Sequence, residues 1–256
     1  MVASNLIRVI TRGDDLGNTH SANKAIFECV TKGNLKNTSV MVNTPQIKEA
    51  AEMFVGRKDV CFGLHANINA EFDNYKWGSV LAKAEVPDLY DEEGNLFADN
   101  SLLFNRKPRV EQVIAEISAQ LDLATRMGFD IKYVDQHMGF SWVLGDEAGA
   151  VANWIRSKGL INGGIVSGGV RAKKEADVEA SVRNFILALK ELSDGDYMNV
   201  NHPSFDDDET RILSYTGATG LEIAFDRNID RIRLTHPDIL RTYEELGIKS
   251  IRYDEV

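Results

Sequence analysis

The sequence is poor in the features that mark secreted, membrane and nucleic-acid-binding proteins. Its 256 residues include only two cysteines, Cys29 and Cys61, which is too few for a disulfide framework. Both lie among apolar residues, so we expect buried thiols in a reducing, cytoplasmic setting. No apolar run approaches the roughly 20 residues that a membrane helix needs, and Met1–Arg12 lacks the pattern of a signal peptide.

Basic residues are also fewer than acidic ones, at 29 against 39, for a net charge of −10. Nucleic-acid partners require a basic surface that neutralises phosphates, so this charge balance argues against one. We therefore expect a soluble protein whose partner is neither a nucleic acid nor a membrane.

What the sequence does contain is an alternation of strand and helix patterns along almost its whole length. This alternation predicts an α/β fold with a mainly parallel sheet. The length suits a single (β/α) barrel domain, typically about 250 residues. We predict a distorted (β/α) barrel of seven or eight strand–helix units over residues 1–256, with an open doubly wound sheet as the alternative. The predicted strands are 6–10, 38–42, 60–65, one from 133, 165–166, 197–201, 221–225 and 249–253, and the predicted helices 21–30, 45–54, 110–127, 147–158, 178–192 and 237–246.

One long segment interrupts this rhythm. Residues 67–108 form a predicted loop insertion without a clear helix, and such long connections are usually functional or disordered. Its aromatic side chains, among them Phe72, Tyr75, Trp77 and Tyr90, are too many for simple disorder. Two interpretations stand equally: a lid that offers flat faces to a sugar ring, or a loop packed onto the barrel. Residues 89–97 resemble a small hairpin.

Chemistry-bearing residues follow several predicted strands. Asp14 and Asp15 come directly after the first strand, where they predict either a turn or a metal site with one ligand and one base. His65, His137 and His202 each end a strand, and in a parallel barrel such ends share one face. Two imidazoles and a carboxylate can hold a divalent ion that activates water and polarises a carbonyl. A second carboxylate and a histidine could then move protons.

The two remaining histidines, His20 and His236, lie at predicted helix starts, where capping or solvent exposure is expected.

The order of these motifs resembles the YdjC-like carbohydrate deacetylase family. The matching segments are Gly13–Gly17, Gly63–His65, Asp135–His137, His202–Pro203 and the closing stretch Leu234–Lys249. The resemblance implies a distorted barrel of the polysaccharide-deacetylase type. It also implies a metal-dependent hydrolase that removes an acetyl group from an N-acetylated mono- or oligosaccharide of the chito-oligosaccharide type.

The resemblance further assigns roles to individual residues. Asp15, His65 and His137 would be the ligands of one divalent metal ion, Mg²⁺ or Zn²⁺, and two imidazoles favour zinc. Asp14 would be the general base and His202 the general acid or oxyanion stabiliser. Asp135 would line the pocket or orient a ligand histidine.

Two segments depart from the family pattern. Residues after His137 lack further histidines, and Phe140 and Trp142 predict a more apolar or stacking surface for the substrate. After His202–Pro203 comes the acidic run Asp206–Glu209, which we expect to be a solvated loop that would disfavour a phosphorylated sugar if it reached the pocket.

Two alternatives to the deacetylase remain from the sequence. The same site could hydrolyse another amide or an ester, or the barrel could bind sugars without catalysis. A homodimer is the expected assembly, because two-fold dimers are the commonest oligomers of soluble proteins.

Overall fold

A computed structural model describes residues 6–256, so the first five positions of the Met1–Arg12 segment lie outside the described residues. The described chain forms one sheet in which every pairing between strands is parallel. The strands are β1 (Ile7–Leu16), β2 (Asn37–Val40), β3 (Cys61–Ala66), β4 (Ile131–Gln136), β5 (Ile161–Asn162), β6 (Gly168–Gly169), β7 (Gly195–Asn201) and β8 (Lys249–Ile251).

The strand order β5-β4-β3-β2-β1-β7-β6 places β1 near the centre of the sheet. β8 pairs with the first half of β1, whereas β2 pairs with its second half. Nine of the ten residues of β1 are buried, as expected for a parallel strand covered on both faces.

The sheet curls around Tyr253, a buried residue that follows β8. Its ring stacks on Tyr133 of β4 with the centroids 3.9 Å apart, and its hydroxyl donates to the carbonyl of Gly163 beyond β5. The same hydroxyl accepts from Arg12 of β1 and lies 3.8 Å from the sulfur of Met198 in β7. Strands on both sides of β1 thus meet around one side chain, which requires a curved sheet.

The predicted distorted (β/α) barrel is therefore confirmed, and the open doubly wound alternative is wrong. Within residues 6–256 the barrel stays open, because its two end strands, β5 and β6, do not pair with each other.

Helices cover the outside of the sheet and follow the strands along the chain. They are α1 (His20–Lys32), α2 (Ile47–Phe54), α3 (Asn100–Arg106), α4 (Val110–Arg126), α5 (Ala150–Ser157), α6 (Val178–Lys190), α7 (Asp208–Arg211), α8 (Gly220–Thr235) and α9 (Pro237–Glu245), with 3-10 turns at Pro87–Leu89, His137–Glu147 and Tyr253–Glu255. His236 caps α9 as expected, whereas Thr19 rather than His20 caps α1.

Two predicted strands are wrong. Residues 221–225 lie in α8, which a capping box between Thr219 and Glu222 begins. Ile165 and Val166 are not in a strand, because the neighbouring segments Ile161–Asn162 and Gly168–Gly169 pair instead. A smaller difference is α2, which starts at Ile47 rather than at Pro45.

The insertion packs firmly onto the barrel. Phe72 and Trp77 are buried in the main core, and Tyr75 donates a hydrogen bond to the carbonyl of Asn18. Glu116 of α4 is fully buried and accepts the backbone N–H groups of Val80 and Leu81. These contacts favour the packing interpretation of the aromatic residues. The expected hairpin is reduced to one antiparallel bridge between Tyr90 and Leu96, and α3 supplies a helix that was not predicted.

Both cysteines are free and buried, as predicted, and burial raises the pKa of the Cys61 thiol to about 12. No helix in residues 6–256 is long and apolar enough to cross a membrane.

Candidate active site

The carboxylate pair lies within β1 rather than in a loop after it. The strand continues to Leu16, with an irregular register against β2 between Gly13 and Leu16. Asp15 adopts a positive φ of 69°, which is uncommon outside glycine and marks a local distortion of the strand. Both carboxylates are buried at the carboxyl end of the sheet.

Three of the predicted residues converge there. Asp15 Oδ1 lies 3.5 Å from both His65 Nε2 and His137 Nδ1, and these two nitrogens are 3.3 Å apart. Two ligands about 2.0–2.1 Å from a tetrahedral zinc ion are about 3.3 Å from each other. The triangle therefore has the size of one face of a metal coordination shell.

The Asp15 Oδ1 atom supports this fit independently. It is buried and has no hydrogen-bond partner among the described residues. A buried carboxylate oxygen without a hydrogen-bond partner is energetically costly. This oxygen faces two imidazole nitrogens, so it lies where a metal-ligand atom would lie.

The outer nitrogen of each histidine contacts a further carboxylate. His65 Nδ1 lies 2.7 Å from Asp135 Oδ2, and His137 Nε2 lies 2.9 Å from Glu71 Oε2. Such pairs are the usual means by which proteins orient metal-binding imidazoles. Neutral rings that donate to these carboxylates leave a lone pair on each nitrogen that faces Asp15.

Two arginines compensate part of this negative charge. Arg12 forms a fork to Asp14 at 2.7 and 3.0 Å and lies 3.2 Å from Asp135, while Arg227 of α8 donates to Asp15 Oδ2 at 2.7 Å. With both imidazoles neutral, as metal binding requires, four carboxylates against two guanidinium groups leave two negative charges in a buried site. A dication neutralises that excess.

The pKa shifts reflect the same excess. Burial alone would raise the pKa of Asp15, but Arg227 and the two imidazoles outweigh burial and hold it well below its usual value. Burial would lower the pKa of His137, but Glu71 and Asp15 raise it to about 9. A cation that binds to the two histidines must therefore displace protons.

His202 follows β7 at the same end of the barrel. Its Nε2 atom lies 3.9 Å from Asp14 Oδ2, and its side chain is 44% exposed. It borders a cleft of about 940 Å³ that also reaches Asp15, Glu71, His137 and Arg227. A cleft of this size accommodates a small carbohydrate.

The two aromatic residues expected at the substrate end of the pocket do not line this cleft. Phe140 is fully buried in the main core and cannot present a stacking face, so that prediction is wrong. Trp142 is about half exposed but packs beside Phe104, with the rings 5.4 Å apart. Leu102 and Met138 border the cleft on that side. In the part of the chain that the structure describes, no aromatic side chain of the insertion borders the cleft either.

The acidic run Asp206–Glu209 is not a solvated loop. Asp207 caps α7 and accepts from Ser21 Oγ, while Glu209 accepts the backbone N–H groups of His20 and Ser21 at the start of α1. Carboxylates at helix N-termini are stabilising. None of the four residues borders the cleft, so they do not bear on substrate charge.

Glu71, Arg12 and Arg227 were not predicted. Arg12 precedes Asp14 by two residues, the spacing at which strand side chains share a face, so a signal existed. No comparable pattern marks Glu71 or Arg227, whose partners His137 and Asp15 are 66 and 212 residues away.

The chain is similar to known proteins in sequence and in fold. A model of the YdjC-like protein family matches residues 8–245. The chain is 27% identical over 258 residues to a carbohydrate deacetylase of Thermoanaerobacter pseudethanolicus, covering 96% of this chain and 97% of that protein. It is 33% identical over 119 residues to a carbohydrate deacetylase of Danio rerio, covering 45% of this chain and 36% of that protein.

A similar fold occurs in the crystal structure of a candidate cellobiose-phosphate cleavage protein from Enterococcus faecalis. The TM-score is 0.74 at 19% identity, with 98% of each chain covered. At that identity the likeness concerns the fold alone.

Proposed function

The chain belongs to the YdjC-like protein family, and on that premise we propose that it is a metal-dependent carbohydrate deacetylase. The proposed reaction hydrolyses the acetamide of an N-acetylated mono- or oligosaccharide of the chito-oligosaccharide type. The curated relatives named carbohydrate deacetylase support the reaction class. The observation that carries the metal dependence is the convergence of Asp15, His65 and His137 around an unsatisfied carboxylate oxygen.

Asp15, His65 and His137 would hold the ion, either Zn²⁺ or Mg²⁺. When bound, a divalent ion at this place would acidify water and polarise the acetamide carbonyl.

The remaining steps fall to the protein's own side chains. Asp14 accepts a proton from the attacking water, and Arg12 fixes the orientation of its carboxylate through two hydrogen bonds. The water oxygen bonds to the acetamide carbon, and the carbon–nitrogen bond then breaks to release acetate. His202, which borders the cleft 3.9 Å from Asp14, stabilises the developing oxyanion and protonates the departing amine.

We further propose that the chain forms one catalytic domain over residues 1–256, with the insertion at 67–108 as part of it. Two free buried thiols are compatible with a reducing compartment such as the cytoplasm.

The first experiment measures the metal content of protein purified without chelator, together with acetate release from N-acetylglucosamine and chitobiose. Near-stoichiometric metal with acetate release supports the proposal. Bound metal without acetate release from either sugar would indicate that the site hydrolyses another amide or an ester. Failure to bind zinc, magnesium or manganese would refute the metal-dependent mechanism, and sugar binding without catalysis would become the better hypothesis.

A further inference from the structure

Glu71 lies in the insertion yet contacts the proposed metal centre. Its Oε2 atom is 2.9 Å from His137 Nε2, and its side chain is only 11% exposed. The neighbouring residues hold it firmly. Ala70 and Phe72 are both fully buried, and the Ala70 N–H donates to the carbonyl of Phe97. Glu71 is therefore presented to His137 by a packed segment rather than by a free loop.

The contact matches the one that Asp135 makes with the other histidine. Asp135 approaches His65 from the side opposite Asp15, and Glu71 approaches His137 in the same way. The carboxylates differ in origin: Asp135 comes from β4 of the barrel, and Glu71 comes from the insertion. Each imidazole is thus held between Asp15 and an outer carboxylate.

We propose that Glu71 is a positioning residue for the metal ligand His137, an inference that rests on the proposed function. A neutral His137 that donates from Nε2 to Glu71 keeps a lone pair on Nδ1, the atom that faces Asp15 and His65. The Glu71 carboxylate also increases the basicity of the imidazole, and both effects strengthen its binding to a cation. The insertion thereby completes the metal centre.

Trp77 restricts the same imidazole from a second direction. Its ring lies edge-on to His137, with the centroids 6.2 Å apart, and it is buried. An aromatic edge limits how the imidazole can tilt but supplies no acceptor for its N–H. Among the described residues, Glu71 is the acceptor of the hydrogen bond from Nε2 that fixes the proton position on His137.

The test compares Glu71→Ala and Glu71→Gln with the parent protein. Metal affinity of chelator-treated protein is measured by competition with a chromophoric zinc chelator, and folding is followed by circular dichroism. We expect Glu71→Ala to raise the zinc Kd by about 10–100-fold, the usual effect of losing such an outer carboxylate. Glu71→Gln keeps an acceptor and loses the charge, so we expect a smaller increase.

Asp73→Asn is the matched control for local charge. Asp73 lies two residues further along the insertion, and its side chain is exposed. We expect its zinc Kd to stay within about twofold of the parent value. If Asp73→Asn weakens zinc as much as Glu71→Gln does, a general charge effect explains the data and the inference fails.

The outcomes also separate this inference from the proposed function. A parent protein that binds no metal refutes both. A parent that binds zinc, with both folded Glu71 variants binding it equally well, refutes only the role of Glu71. A raised KM for the acetylated sugar with an unchanged zinc Kd would make Glu71 a substrate contact instead and would overturn the inference.

Discussion

Replacing Arg12 by methionine removes the cation that lies between two buried carboxylates. Arg12 is 8% exposed, and its guanidinium bonds both oxygens of Asp14, the hydroxyl of Tyr253 and one oxygen of Asp135. Breaking a buried ion pair from one side typically costs about 3–5 kcal/mol, because the remaining charge is left without a partner. For a chain of this size, that loss lowers Tm by on the order of 10 °C.

The loss of stability in Arg12→Met should also depend on pH, because Arg12 sets the pKa of Asp135. Burial would raise the pKa of Asp135, but Arg12 and then His65 outweigh burial and lower it to about 2. Since this value lies below the ordinary carboxyl pKa of about 4, Asp135 stabilises the fold above that pH and loses this effect as the pH falls toward about 2. Without Arg12, burial is opposed chiefly by His65, so the pKa of the Asp135 carboxyl rises. The deficit of the variant should therefore be largest near pH 7.5 and should shrink as the pH falls toward about 5.

The assay is urea unfolding of chelator-treated protein at both pH values, so that no bound cation replaces the missing guanidinium. Arg12→Lys is the matched control, since it keeps the charge but loses the planar fork, and we expect an intermediate loss. An Arg12→Met protein within about 1 kcal/mol of the parent at pH 7.5 would refute the electrostatic account. So would a deficit that grows at the lower pH.

Three further predictions follow from the site and its supports. Asp14→Asn should keep the metal and lose about 10²–10⁴-fold in turnover, which is the usual contribution of a general base. His65→Ala should lose the metal instead, and metal analysis together with acetate release distinguishes the two effects. Gly63→Ala should destabilise the fold by about 3 kcal/mol in thermal unfolding, because the new methyl group would lie within 2.5 Å of the buried Tyr133 ring; an unchanged Tm would contradict this. Glu116→Ala should cost about 1–3 kcal/mol in urea unfolding, because it leaves the partly buried backbone N–H groups of Val80 and Leu81 without acceptors; a cost below about 0.5 kcal/mol would contradict a stabilising role for this contact.

The strand-end residues of the site could be predicted because parallel strands impose a simple geometry. Once His65 and His137 are assigned to strand ends, the fold must bring them to one edge of the sheet, and they do lie together with Asp15. The packing around Gly63 could not be predicted in this way. Gly63 belongs to the motif that ends in His65, but only the structure shows that the ring of Tyr133 occupies the space a side chain would need.

Two predictions about other parts of the chain were wrong for identifiable reasons. Residues 221–225 have the apolar content of a strand, but the Thr219–Glu222 capping box starts a helix, and that pattern is visible in the sequence. The position of Phe140 shortly after a ligand histidine predicts an apolar or stacking surface for the substrate. The turn that follows His137 contains two residues with positive φ, Met138 and Gly139, and this sharp change of direction sends Phe140 into the core.

The residues that balance charge were the least predictable, because each is ordinary in its own sequence context. Glu71 is one acidic residue in an insertion without periodicity, and Arg227 is one of 29 basic residues. The roles of Glu71 and Arg227 depend on contacts with residues far away in the sequence, and only the folded structure shows these contacts. Asp14, Asp15 and Arg12 come from β1, Asp135 from β4, Arg227 from α8 and Glu71 from the insertion. When both imidazoles are neutral, these groups leave two negative charges around three convergent ligand atoms, and because that excess is buried it favours a divalent cation over a monovalent one.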